Sequence, residues 1–271
     1  MDKESYFDLV KQSTPEPDHI HTNWKETSPL CMLFIEFRPM DIIKYNLWNI
    51  ANVYGGGDTA LTIVHSGDNK EMIMETTKDW KNVRYIQAFD KNKDVNAYSK
   101  LLASYDFWDN FSEYDYVLIN QWDSYIFKKI QNHFFEYDFI GAPTGHFYVP
   151  HDGRIINICS SRCKCDRCVK GDHPYKEANF IGHPKKIFMF NGGFSLRNVS
   201  TMKHICKIKP WRGEPEDLYF MISNITRPTR ELGRSFSVQD FKCEDIPVGC
   251  HQIWLSQDEA YIRDLFKKYQ H

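Results

Sequence analysis

The chain has no run of roughly 18 apolar residues, the length that spans a bilayer as a helix, which argues against a membrane-crossing segment. Its first stretch, Met1 to His19 (MDKESYFDLVKQSTPEPDH), is polar and acidic and lacks both an apolar core and a small-residue cleavage site. No secretion signal is therefore expected, and the protein is read as cytoplasmic and not secreted. Net charge is nearly absent too: 34 basic against 36 acidic residues leave −2, so no overall field draws the chain to nucleic acid or an anionic membrane. A phosphate-cradling glycine loop is also missing. Gly55-Gly56-Gly57 comes before a strand instead of opening a helix after one, which matches neither the dinucleotide nor the P-loop pattern. Any nucleotide would then have to be held through a metal. Without a secretion signal, the eight cysteines read as reduced thiols or metal ligands, and the sequons at Asn110, Asn198 and Asn224 as chance matches.

Apolar residues, by contrast, are plentiful. At 42 % of the chain, with 15 % aromatics, they suffice for a sizeable core and exclude a disordered composition. Residues 1–28, with Pro15 and Pro17 among polar neighbours, are expected to form a tail, and 29–271 a single domain. Apolar runs of strand length occur at Cys31–Phe37, Thr59–Ser66, Asn82–Phe89 and Tyr114–Asp123, alternating with segments of helical period. That alternation predicts an α/β fold with a doubly wound, mostly parallel central sheet flanked by helices. After about Phe135 it breaks down. A short strand, FFEYDFIGAP, precedes a long irregular stretch, 144–186, rich in Cys, Gly, His, Pro and Lys, and loops of that length are usually functional or inserted.

Ligands of doubly wound sheets bind beyond the carboxyl ends of the strands. The residues there are Glu36 and Arg38, His65 to Asp68, Asp90, and Asn120 to Asp123. Strand ends are polar in any α/β protein, so each alone carries little, but Asp123 would place a carboxylate at the tip of a central strand, where a divalent cation or a phosphate would lie. Two further features stand out. In IFMFNGGFSLRN, Gly192-Gly193 removes two side chains from a strand, which marks either a bulge or the close approach of another group. In EPEDLYF, Glu216 and Asp217 open a helix, where acids suit the helix dipole but where a general base for an acceptor hydroxyl is equally at home.

Taken in order, VLINQWDSYIF, FFEYDFIGAP, NGGFSLRN and PEDLYF resemble a family of GT-A type glycosyltransferases that is catalogued mainly as a domain of unknown function, found in bacteria, algae and large DNA viruses. IEFRP, HSGDN, AYSKLLASYDFW and VGCHQIW extend the resemblance over most of Cys31 to Trp254. A composition rich in Lys, Asn, Ile and Phe and poor in Ala fits a viral or protist member.

The resemblance implies a GT-A like fold with a Rossmann-type nucleotide-binding half, 29–134, and an acceptor-side, catalytic half, 135–271. The implied activity is transfer of a sugar from a nucleotide-diphosphate sugar, UDP-sugar favoured, to a hydroxyl of a glycan or protein acceptor, with inversion. On it, Asp123 and His251 would hold Mn²⁺ or Mg²⁺, with Gln121 standing where the usual Asp-x-Asp has its first acid. Asn191, Gly192 and Gly193 would lie against the donor sugar. Glu36 and Arg38 would contact the nucleotide, or form a plain surface ion pair. Asp217 would be the base and Glu216 would orient the acceptor. Because of Gln121, the competing expectation is an inactive binding or scaffold protein that uses its Cys-rich loop.

In that loop Cys159, Cys163, Cys165 and Cys168 are spaced for a small zinc-stapled turn, for a redox-labile or disulfide-linked loop, or for unligated thiols. Basic residues nearby, Arg162, Lys164 and Arg167 among them, suit an anionic acceptor or a diphosphate as well as plain solvent. A zinc-knuckle nucleic-acid binder is disfavoured by the balanced overall charge.

Overall fold

The computed structural model describes residues 1–151, 154–159 and 187–269. Four strands, β1 (Leu30–Ile35), β2 (Ala60–Ser66), β3 (Val83–Phe89) and β4 (Tyr116–Asn120), are connected by α2 (Ile42–Tyr54), α3 (Lys70–Thr76), α4 (Val95–Leu102) and α5 (Tyr105–Asp109). They pair in parallel in the order β3-β2-β1-β4. The sheet continues through β8 (Ile187–Asn198), antiparallel to β4, then β6 (Phe139–His151) and β7 (Arg154–Cys159). Five of these seven strands point the same way, and the fold is the expected α/β one with a mostly parallel sheet.

Alternation of side chains across the sheet divides the interior. Cys31, Leu33, Ile35, Val117 and Ile119 face one layer with α4, α5, α6 (Val199–Ile208) and α7 (Glu216–Met221). Met32, Phe34, Leu61, Ile63 and Leu118 face the other, with α2, α3 and α8 (Arg230–Phe236). Burial on both faces explains why the parallel strands read as continuous apolar runs. The segment 94–108 forms two helices, because Ser104 accepts from the Phe107 N–H and caps a second start.

Two expectations need correction. Residues 1–28 are no tail: α1 (Lys3–Ser13) is capped by Asp2, and Tyr6, Phe7 and Val10 are buried with Trp122, Tyr125, Cys250 and the C-terminal helix α9 (Glu259–Tyr269). Trp24 is buried as well, against the α2 layer. The stretch 144–186 is not irregular throughout either. Its first part is the end of β6 and all of β7, an antiparallel pair that buries Phe147, Val149 and Ile158. Cys163, Cys165, Cys168 and the side chain of Cys159 lie outside the described residues, and the zinc expectation with them.

A small second sheet sets the site. In it β10 (Gly249–His251) pairs antiparallel with β5 (Ser124–Ile126) and parallel with β9 (Ser237–Val238). Its register puts His251 opposite Ser124, directly after Asp123.

Candidate active site

Past the carboxyl ends of β1 and β4 lies a cavity of about 570 Å³. Glu36, Arg38, Gln121, Asp123, Asn191, Gly192, Gly193, Glu216, Asp217 and His251 all line it, so these ten candidates from the sequence are brought to one place. His65, Asp68 and Asp90 are not part of its wall. They brace the neighbouring loops: His65 Nδ1 bonds the Ser66 carbonyl at 2.8 Å, and Asp68 accepts from the Asn92 N–H at 2.7 Å.

The β1 corner is rigid. Asn69, wholly buried, donates to the Glu36 carbonyl at 2.8 Å, and Ser66 Oγ donates to that of Phe37 at 2.6 Å. Glu36 Oε1 accepts from the Phe37 N–H, the Arg38 N–H and Arg38 Nε, and its Oε2 accepts from Arg38 Nη2, all at 2.8–2.9 Å. Glu36 is thus internally satisfied. Arg38, half exposed over the Trp122 ring at 5.0 Å, is the member of this fork able to meet a ligand.

Asp123 is only 2 % exposed. Burial alone would raise its pKa, but the adjacent His251 and a hydrogen bond from Gln252 outweigh that, and the carboxyl lies below its ordinary value. Gln252 holds it twice, Nε2 to Oδ2 at 2.6 Å and N–H to the Asp123 carbonyl at 2.9 Å, from a left-handed backbone (φ 45°) that a glutamine rarely adopts. Strain of this kind, on the order of 1–3 kcal/mol, persists where the surroundings demand it. His251 Nε2 lies 3.2 Å from Asp123 Oδ1, and neither atom has a hydrogen-bond partner among the described residues. The other ring nitrogen, Nδ1, is 3.0 Å from Gln239 Oε1. A cation or a proton between Nε2 and Oδ1 satisfies both, so the two atoms fit a divalent ion. They are a small donor set: no group of three or more His, Cys, Asp or Glu side chains suited to a metal occurs among the described residues.

The glycine pair has a direct explanation. A Cβ at Gly192 would collide with Glu216 Oε1 and Arg197 Nη2, and one at Gly193 with His251 Nε2 and Gln121 Oε1. Both sequence readings therefore hold. Side chains of the cavity approach the backbone closely, and β8 also bulges here, since Gly141 and Ala142 of β6 pair with Ser195 and Asn191 across the gap.

The adjacent acids of α7 have different fates. Glu216 is 7 % exposed and ion-paired at 2.9 Å to Arg197, a wholly buried arginine. Asp217 uses Oδ1 to accept from the Leu218 N–H at 2.7 Å and borders the cavity. Burial, and then the negative charge of Glu216, push its carboxyl up to about 7, the range of a general base.

Sequence reasoning missed Arg197, Gln252, Gln239 and Tyr98. Arg197 and Gln252 sit inside motifs already quoted, but nothing local shows that a surface-type residue will be buried. Tyr98, from α4, borders the cavity at 8 % exposure with a hydroxyl that has no hydrogen-bond partner among the described residues.

Comparison with known proteins places these features in context. No curated protein matches the chain. Two solved structures, the glycosyltransferase GlyE of Streptococcus pneumoniae TIGR4 and its apo form, are similar at 12 % identity over 90 % of this chain, with TM-scores of 0.44 and 0.43. The chain spans 60 % of the length of those proteins. Residues 82–251, more than half of the chain, match the model described as "Protein of unknown function (DUF5672)", and the chain belongs to that family.

Proposed function

We propose that this protein is a glycosyltransferase that moves a sugar from a nucleotide-diphosphate sugar, UDP-sugar favoured, to a hydroxyl of a glycan or protein acceptor, with inversion. The observation that carries the reading is one cavity holding two carboxyls tuned in opposite directions: Asp123, kept ionised against His251, and Asp217, raised into the range where it takes and releases a proton. Sugar transfer makes those two demands. Charge must be balanced where the diphosphate leaves, and a proton must be removed where the acceptor attacks.

In this scheme Arg38 approaches the nucleotide, and the donor sugar lies against the backbone of the glycine pair, onto which Glu216 and His251 close. Asp217 accepts the acceptor hydroxyl's proton while that oxygen bonds to the anomeric carbon. The bond from this carbon to the diphosphate breaks, and the diphosphate leaves with the electron pair. Asp123 Oδ1 and His251 Nε2 would hold Mn²⁺ or Mg²⁺ together with diphosphate oxygens, and a bound ion would supply neutralisation of the leaving group's charge. With glutamine at 121 the protein contributes one carboxylate and one imidazole, so the ion would be held less firmly than by two carboxylates.

The test is a panel of UDP-, GDP- and dTDP-sugars, read by thermal stabilisation and slow donor hydrolysis, with and without Mn²⁺, on wild type, Asp123→Ala and Asp217→Asn. The expected result is stabilisation by one donor, dependent on Mn²⁺ and Asp123 and retained in Asp217→Asn. No shift with any donor under any metal condition removes the reading. The second reading, a protein that binds without turnover, is favoured by Gln121. Donor stabilisation with no hydrolysis or transfer would select it.

A further inference from the structure

We propose that Arg197 and Glu216 form a positioning pair for Asp217: the buried guanidinium withdraws Glu216 from substrate chemistry, and the pair together sets the charge beside the carboxylate that takes the acceptor proton. The role assigned to Asp217 rests on the glycosyltransferase reading; the pairing itself does not.

The geometry around Arg197 leaves it no freedom. Its Nη2 donates to Glu216 Oε1 at 2.9 Å and to the Gly192 carbonyl at 3.2 Å, and its Nε donates to Ser195 Oγ at 3.0 Å. Ser195 Oγ in turn donates to the Gly192 carbonyl at 2.8 Å. The guanidinium sits 4.6 Å from the Phe139 ring centroid and 5.5 Å from that of Phe220. Gly192 is the space that both groups need, since a Cβ there would strike each of them. Held in this way, Glu216 cannot turn toward an acceptor. Asp217, the next residue, carries no such anchor and borders the cavity.

The pairing has an electrostatic consequence. A buried guanidinium without Glu216 would hold Asp217 ionised and make it a poor base, whereas Glu216 without the guanidinium would oppose ionisation altogether. Together they leave Asp217 between those extremes. The other groups that bear on it are His251 from β10, itself paired with Asp123, and Tyr98 from α4, while Lys93 and Asp94 line the same cavity. None of these changes in the variants below.

The experiment follows Asp217 directly, by NMR titration of ¹³C-labelled aspartate carboxyls in the full chain, with its signal identified by its loss in Asp217→Asn. In Glu216→Gln, which keeps size and hydrogen-bonding capacity, the midpoint is expected to move to lower pH by roughly one unit or more. In Arg197→Met it is expected to move up, and in Arg197→Met/Glu216→Gln to return toward wild type. If transfer is established, the acid limb of its pH–rate profile should follow the same order. A merely structural role predicts lost folded protein without opposite movements. A Glu216→Gln midpoint that stays at the wild-type value overturns the proposal, and this variant decides the matter alone if Arg197→Met does not fold. Opposite movements in a protein that binds no donor would keep the pair and remove only the proposed activity.

Discussion

The two acidic corners of the cavity are built from similar parts and behave in opposite ways. At the β4 corner, Asp123 is nearly inaccessible and yet more acidic than a free aspartate, because an imidazole and an amide face it. At the α7 corner, Asp217 is more open and yet less acidic, because burial and then the charge of Glu216 both oppose its ionisation. Burial raises both groups. The partners decide which way each one ends.

The largest expected effect separates the corners by function. Asp217→Asn should lower sugar transfer by about 10²–10⁴-fold, the usual contribution of a general base, while the donor still raises Tm. Asp123→Ala should abolish the donor-induced rise in Tm. If the two variants lose the same property, the division between the corners is wrong.

Next comes the buried pair. Arg197→Met leaves Glu216 without its counter-ion and should cost about 3–5 kcal/mol in a urea titration, because an uncompensated buried charge remains. A surface control such as Lys78→Ala, which breaks an exposed pair with Glu75, should leave the urea midpoint close to that of the wild type.

The glycines sharpen the contrast by a smaller amount. Gly193→Ala forces its methyl against His251 and Gln121, and Gly192→Ala against Glu216 and Arg197, each at about 1–3 kcal/mol of overpacking. The first should weaken the metal dependence of donor binding and the second should not.

The last contrast is a difference in pH slope, of less than one proton at any pH. Asp217 binds its proton more tightly folded than unfolded, so its contribution to stability is complete below the ordinary value of 3.8 and is lost as pH rises through about 7. Asp217→Asn should therefore gain Tm relative to wild type between pH 5 and pH 8. Asp123 has the opposite sign: its contribution is present above 3.8 and is lost as pH falls below it. The deficit of Asp123→Asn should shrink toward acid pH. Parallel Tm–pH curves for the two variants would contradict the opposite tuning.

Much of the scaffold was legible without coordinates. The runs at Cys31, Thr59, Asn82 and Tyr114 became β1 to β4 within a few residues, and Gly192-Gly193 and Glu216-Asp217 both reached the cavity. Helix α1 was not legible, because Pro15, Pro17 and a polar surface resemble a tail until Trp122, Trp254 and α9 arrive to cover Tyr6 and Phe7. The same holds for β7, hidden in a stretch whose composition reads as loop.

By itself, then, the sequence determined the alternation of strands and helices, the order of the motifs and the presence of acids at strand and helix ends, since these depend on periodicity and neighbours a few residues apart. Tertiary structure alone decided what each acid became. His251 meets Asp123 only because β10 pairs with β5, and Arg197 meets Glu216 only because α7 packs on β8 over a residue with no side chain. Desolvation and charge pairing act over a few ångströms of space, across chain separations in which no local pattern records the partner.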